Sequence, residues 1–151
     1  MFATAFSILL VAIYGINGEV SPNYNVCAKE NSDCGCTGTI FIGENTAWDS
    51  KEGVSGVSKC KHSTLNLPDP APGKFKYCIC DKENLGRTVD LEFCASETDY
   101  CDCDGLVWFG FHSSWTHNSK MGSTNCDRAV FGNPRRGPRR ECLCAKEILT
   151  L

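Results

Sequence analysis

The twelve cysteines have the widest chemical repertoire of any residues in this chain. A thiolate can hold a metal, attack an electrophile or close a disulfide, and spacing separates these roles. Cys27, Cys34, Cys36, Cys60, Cys78 and Cys80 form one set. Cys94, Cys101, Cys103, Cys126, Cys142 and Cys144 form another. The first three cysteines are offset by 67 residues between sets, the fourth by 66 and the last two by 64. A fixed internal period outranks other fold signals. Because each set is even and complete, all twelve cysteines are expected in structural disulfides, three within each copy, with the pairing inside a copy left open.

Four other groups could carry chemistry. Glu97, Asp99, Asp102 and Asp104 cluster around Cys101-x-Cys103, and a hard cation such as calcium wants several carboxylate oxygens. The EF-hand spacing is not met, and the first copy lacks the two aspartates, so a solvated acidic loop is expected, with weak calcium contact as the sharper alternative. His62, His112 and His117 do not have the spacing of a zinc pair, and no metal site or cofactor is expected from them. Arg135, Arg136, Arg139 and Arg140 make the one charge run. They are the candidate partner-binding residues, fit for a sulfated glycan or an acidic protein surface, against a default reading as a solvated turn. Trp108, Phe109, Phe111 and Trp115 crowd the second copy, and Phe41 and Trp48 mark the first. Such rings can stack on sugars, but in so small a module they are expected in the core, Trp48 and Trp115 above all, since both copies keep them. No nucleophile elbow, phosphate-binding glycine loop or zinc-protease helix motif occurs, so a non-enzymatic chain is expected.

The elements that must position these residues read as strand and loop. Thr39 to Ile42 and Leu106 to Phe109 are rich in β-branched and aromatic residues and bounded by glycine. In a strand, the period of two puts both sulfurs of a Cys-x-Cys pair on one face. Phe75 to Cys80 alternates in the same way, with Arg139 to Cys144 as its counterpart. No helical stripe runs through either copy, and Ala145 to Leu149 is expected to form one helical turn. The fold expected is a small, disulfide-rich, mainly β protein of two tandem modules. Module 1 spans 27–80 and module 2 spans 94–144, with a linker at 81–93 and a tail at 145–151. A module of about fifty residues buries too little apolar surface to be stable alone, which the disulfides would offset.

Residues 1–18 read as a signal peptide: Ala3 to Ile16 is apolar and uncharged, the length of a signal core and too short for a membrane span. With 15 basic and 18 acidic residues the chain is mildly acidic, which argues against nucleic acid as partner.

The second copy combines Cys101-x-Cys103-x-Gly105 with Phe131-Gly132-Asn133-Pro134, Gly137 and Cys142-Leu143-Cys144. It resembles a cysteine-rich repeat of secreted proteins from aquatic invertebrates and algae, marked by a Phe-Gly-Asp/Asn-Pro turn and a Cys-x-Cys end. The likeness covers Cys94 to Cys144 more fully than Cys27 to Cys80, where Leu67-Pro68-Asp69-Pro70 stands in place of the turn. It implies secretion, disulfides and a non-enzymatic role, and transfers no site residues. The resulting expectation is a secreted binding protein, a venom- or defence-type effector acting on an extracellular protein or glycan. An extracellular or biomineral matrix protein and a protease inhibitor, the latter using the loop between the fourth and fifth cysteines, are the alternatives.

Overall fold

The structure, a computed structural model, describes residues 22–118, 120–132 and 137–150. The expected signal segment lies outside them, as do Arg135 and Arg136. Strands β1 (Asn25–Lys29), β2 (Asp33–Glu44), β3 (Ala47–Lys59) and β4 (Tyr77–Asp81) form an antiparallel sheet in the order β1-β4-β2-β3. Strand β5 (Arg87–Ser96) opens the second half. It is followed by β6 (Tyr100–Cys101), β7 (Leu106–Phe111), β8 (Ser114–His117), β9 (Thr124–Asn125), the single turn α1 (Arg128–Phe131) and β10 (Glu141–Thr150). Its main sheet has the order β5-β10-β7-β8, the topology of the first sheet repeated, and β6 and β9 pair separately.

The disulfides repeat as well. Cys27–Cys34, Cys36–Cys80 and Cys60–Cys78 in the first half match Cys94–Cys101, Cys103–Cys144 and Cys126–Cys142 in the second. No cysteine is free. Strand alternation gives each Cys-x-Cys a two-sided role. In β4, Cys78 and Cys80 pack into a layer with Ile40, Ile42 and Leu65, while Tyr77 and Ile79 pack into a different cluster. In β10, Cys142 and Cys144 join Val107 and Phe109, while Leu143 and Ala145 turn the other way. That other cluster is common to both sheets: Val26, Phe41, Tyr77 and Ile79 meet Val89, Leu91, Leu106, Trp108, Leu143 and Ala145. The sheets therefore pack face to face, and each is covered on its outer face by cystines. Residues buried on both faces read as an unbroken apolar run, which is why Tyr77 to Asp81 is buried at every position.

Two glycines of the repeated Cys-x-Cys-x-Gly motif are explained by close approach. A Cβ on Gly38 would overlap the Asp81 carbonyl oxygen, and one on Gly105 would overlap that of Ala145. Both carbonyls follow the last cysteine of their copy, so each glycine lets the hairpin lie tight against the strand that carries the closing disulfide. A bulge at Cys27 (Val26 pairs Ile79, Ala28 pairs Cys78) recurs at Cys94 (Ala95 pairs Cys142, Phe93 pairs Leu143).

Several expectations need correction. The tail from Ala145 is strand, not helix: β10 continues to Thr150, with Leu149 opposite Thr88. Hydrogen bonding to the neighbouring strand outweighs the good helical propensity of Ala-Lys-Glu, which is only a weak prior against tertiary context. Of the segment 81–93, only residues 82–86 lie between strands. The deepest tryptophan is Trp108, 1 % exposed, whereas Trp48 and Trp115 pack against the core only partly buried. The turn α1 is helical, with Asp127 capping it by accepting the Val130 N–H.

Candidate functional site

The arginine run does not form a single surface. Arg139 is exposed, but Arg140 is 1 % exposed and lies over the rings of Phe109 and Phe111. Glu97 accepts the Arg140 backbone N–H at 2.9 Å, its guanidinium stands 3.7 Å away, and Arg128 Nε donates to the same carboxylate at 2.9 Å. The Arg140 amide bond, joined by the charges of Arg128 and Arg140, holds the Glu97 carboxyl below the usual glutamate range against its partial burial. The first sheet repeats the arrangement. Glu30 accepts the Lys76 backbone N–H at 3.3 Å, and the Lys76 ammonium, 4 % exposed, lies 3.5 Å from Glu30 and 3.1 Å from Asp69. Glu30 and Glu97 sit three residues after the first cysteine of each copy, and Lys76 and Arg140 two before the fifth. That spacing was available in the sequence, as a cation matched between copies. Arg140 thus leaves the candidate partner-binding set and joins the scaffold.

The acidic cluster does not converge. Glu97 faces its arginines, Asp102 accepts the Ser123 hydroxyl at 2.8 Å, and Asp104 lies toward Lys146, which is bonded to Glu92. Among the described residues no group of three or more His, Cys, Asp or Glu side chains is placed to hold a metal. The expected weak calcium contact has no such geometry here. The histidines scatter too: His62 lies 3.7 Å from Asp69, His112 3.2 Å from the Ser32 hydroxyl, and His117 against Trp108.

The seam between sheets is polar at one end. Tyr77 donates to Glu141 at 3.1 Å, Lys29 donates to the same carboxylate at 3.0 Å, and the Lys29 N–H reaches the His112 carbonyl at 2.8 Å. Burial, then the Glu141 charge, pushes the Tyr77 hydroxyl well up. Burial pushes Tyr24 up to about 12.

Two clefts open beside equivalent cross-strand pairs of the two sheets. In the second sheet, Trp108 pairs across the ladder with His117, and with Tyr24, Lys82 and Glu83 they line a cleft of about 310 Å³. The Trp108 ring meets those of Tyr24 and His117 at tilted angles, with centroids 5.8 Å and 4.9 Å away. In the first sheet, the residues 67 positions earlier are Phe41 and Ser50, likewise paired. With Thr39, Glu52, Asn84 and Gly86 they line a larger cleft of about 460 Å³. Smaller side chains at the same two positions leave the first cleft open. Sequence reading named Thr39, Phe41, Trp108 and His117 but none as a cleft residue, because each cleft depends on cross-strand pairing and on the segment 82–86.

No helix among the described residues is long and apolar enough to cross a membrane. No protein-family model, curated protein or solved structure matches the chain.

Proposed function

We propose that this chain is a secreted, non-enzymatic protein that acts by binding an extracellular target, as an effector of the venom or defence type. The observation that carries this reading is that all twelve cysteines are closed into six disulfides with one pattern used twice. Such a framework persists in oxidising surroundings and would be reduced in the cytosol. The apolar run before residue 18 supports export. The effector reading gains over a mineral-matrix role because Glu97 and Asp102 are engaged by Arg140, Arg128 and Ser123. The remaining candidate partner-binding arginines are Arg135, Arg136 and Arg139.

Expression of the full chain in a secretory eukaryotic host tests this directly. The reading expects processed protein in the medium, with a mass deficit of two hydrogens per disulfide and no titratable thiol. Retention inside cells with reactive thiols would refute secretion. Calorimetry with millimolar calcium separates the roles: clear binding would favour the matrix.

A further inference from the structure

Strand β3 is thirteen residues long and stands at the end of its sheet, paired with β2 alone. Its counterpart is broken into β8 and β9, four and two residues long. Natural sheets usually blunt an exposed edge with short strands, proline or lysine. β3 has no proline; it carries two lysines, Lys51 and Lys59, and Val57 is 73 % exposed on it. The Ser50 N–H, opposite Phe41, is taken by the Asp49 carboxylate at 2.8 Å, so it is turned to the free edge. Between the pairs Gly38–Val54 and Ile40–Lys51, β2 has one residue and β3 has two, Glu52 and Gly53. This is a bulge with Gly53 at φ 66°, a device that re-aims a side chain. Here it brings Glu52 to the rim of the 460 Å³ cleft.

The cleft is built for one kind of guest. Phe41 and Thr39 line it from nearly buried positions, Ser50 and Asn84 add polar groups, and Glu52 is the one charged residue among the described lining residues. The Thr39 hydroxyl donates to Asn84 Oδ1 at 2.8 Å, so its oxygen keeps its acceptor capacity. A cleft with hydroxyl and amide acceptors inside and a carboxylate at its rim suits the charged end of a lysine or arginine side chain. Edge and cleft adjoin through Ser50 and Glu52, the arrangement in which main-chain pairing supplies affinity and a side-chain pocket supplies specificity.

We propose that β3 receives an extended segment of a partner protein as a fifth strand, and that an arginine or lysine of that segment enters the Thr39–Phe41–Ser50–Glu52–Asn84 cleft. This names the mode of contact for the binding function proposed above and rests on it.

The test titrates the disulfide-intact protein with twelve-residue peptides of alternating Thr and Val bearing one central Arg, Gln or Glu, following backbone amides by NMR and their exchange with solvent. The Arg peptide should shift and protect β3 amides, at least tenfold more tightly than the Glu peptide. Glu52→Gln should weaken the Arg peptide about tenfold and leave the Gln peptide unchanged. Asp49→Ala, which frees the Ser50 N–H, should tighten all three. Ser50→Pro should abolish pairing; because it can also disturb the strand, Asp49→Ala and Glu52→Gln decide the matter if it misfolds. No β3 response at millimolar peptide, a response mapping elsewhere, or indifference to Glu52→Gln would overturn the proposal. So would a dimer paired through β3, which would give the edge to a second copy. If the protein still binds its extracellular target while β3 stays silent, the strand-addition proposal alone falls. If both fail, the binding function falls with it.

Discussion

Two disulfides of the first sheet, Cys36–Cys80 and Cys27–Cys34, close chain segments of very different length, with sequence separations of 44 and 7. If these bonds act mainly by restricting the unfolded chain, loop closure assigns about 4 kcal/mol to the long bond and about 2.5 kcal/mol to the short one. All four cysteines are buried, so replacing either pair by alanine removes two buried sulfurs, and the packing loss nearly cancels in the comparison. Cys36→Ala/Cys80→Ala should thus be less stable than Cys27→Ala/Cys34→Ala by about 1.5 kcal/mol. Guanidinium unfolding followed by tryptophan emission reads this as a midpoint lower by about 0.4 M at equal slope. Trp108 sits in the core shared by both sheets, so each variant should also unfold in one transition. An equal or reversed order would show that sulfur packing, not chain restriction, is what these bonds supply, and two separated transitions would contradict the shared core.

Glu97→Ala strips the carboxylate from the fully buried Arg140 and should cost about 3 kcal/mol; Glu30→Ala should cost about half as much, because Lys76 keeps Asp69, and urea titration compares the two. Since the Glu97 carboxyl titrates below the ordinary glutamate range when folded, its contribution is complete at neutral pH and is lost as pH falls through that depressed value. The acid limb of stability should therefore be shallower in Glu97→Ala than in the parent. Gly105→Ala should prevent close hairpin packing against Ala145 and cost more than 2 kcal/mol, on the order of an overpacked core site. Gly35→Ala, three residues before the equivalent glycine Gly38 but with open space around it, should be nearly silent in the same melt. Tyr24 and Tyr77 have raised hydroxyls, so their contribution is intact below the unfolded tyrosine value and drains away as pH rises toward about 12. Ultraviolet titration should show phenolate formation coupled to alkaline unfolding, and free ionisation of Tyr24 and Tyr77 before unfolding would refute their burial.

The cysteine repeat, the glycine-bounded strands and the mainly β character were legible because they rest on spacing, and spacing survives divergence between copies. The buried cation was harder to see. Arg140 ends a run whose composition announces solvent, and only its register two residues before a cysteine, matched by Lys76, marks it as structural. The strand at Ala145 to Thr150 could not be read locally, since the pairing that decides it lies on β5, more than fifty residues upstream. The first cleft was invisible for a related reason: Ser50 matters through what it fails to fill, and His117 shows the contrast only once the sheets are superimposed.

Each sheet has an apolar inner face that the other sheet covers. A single copy released from the chain would be a protomer without its partner. Joining the copies through the five residues 82–86 turns a bimolecular association into an intramolecular one, with an effective concentration on the order of millimolar. The molecule is in this sense a dimer written as one polypeptide, and dilution, which takes ordinary dimers apart, leaves it assembled.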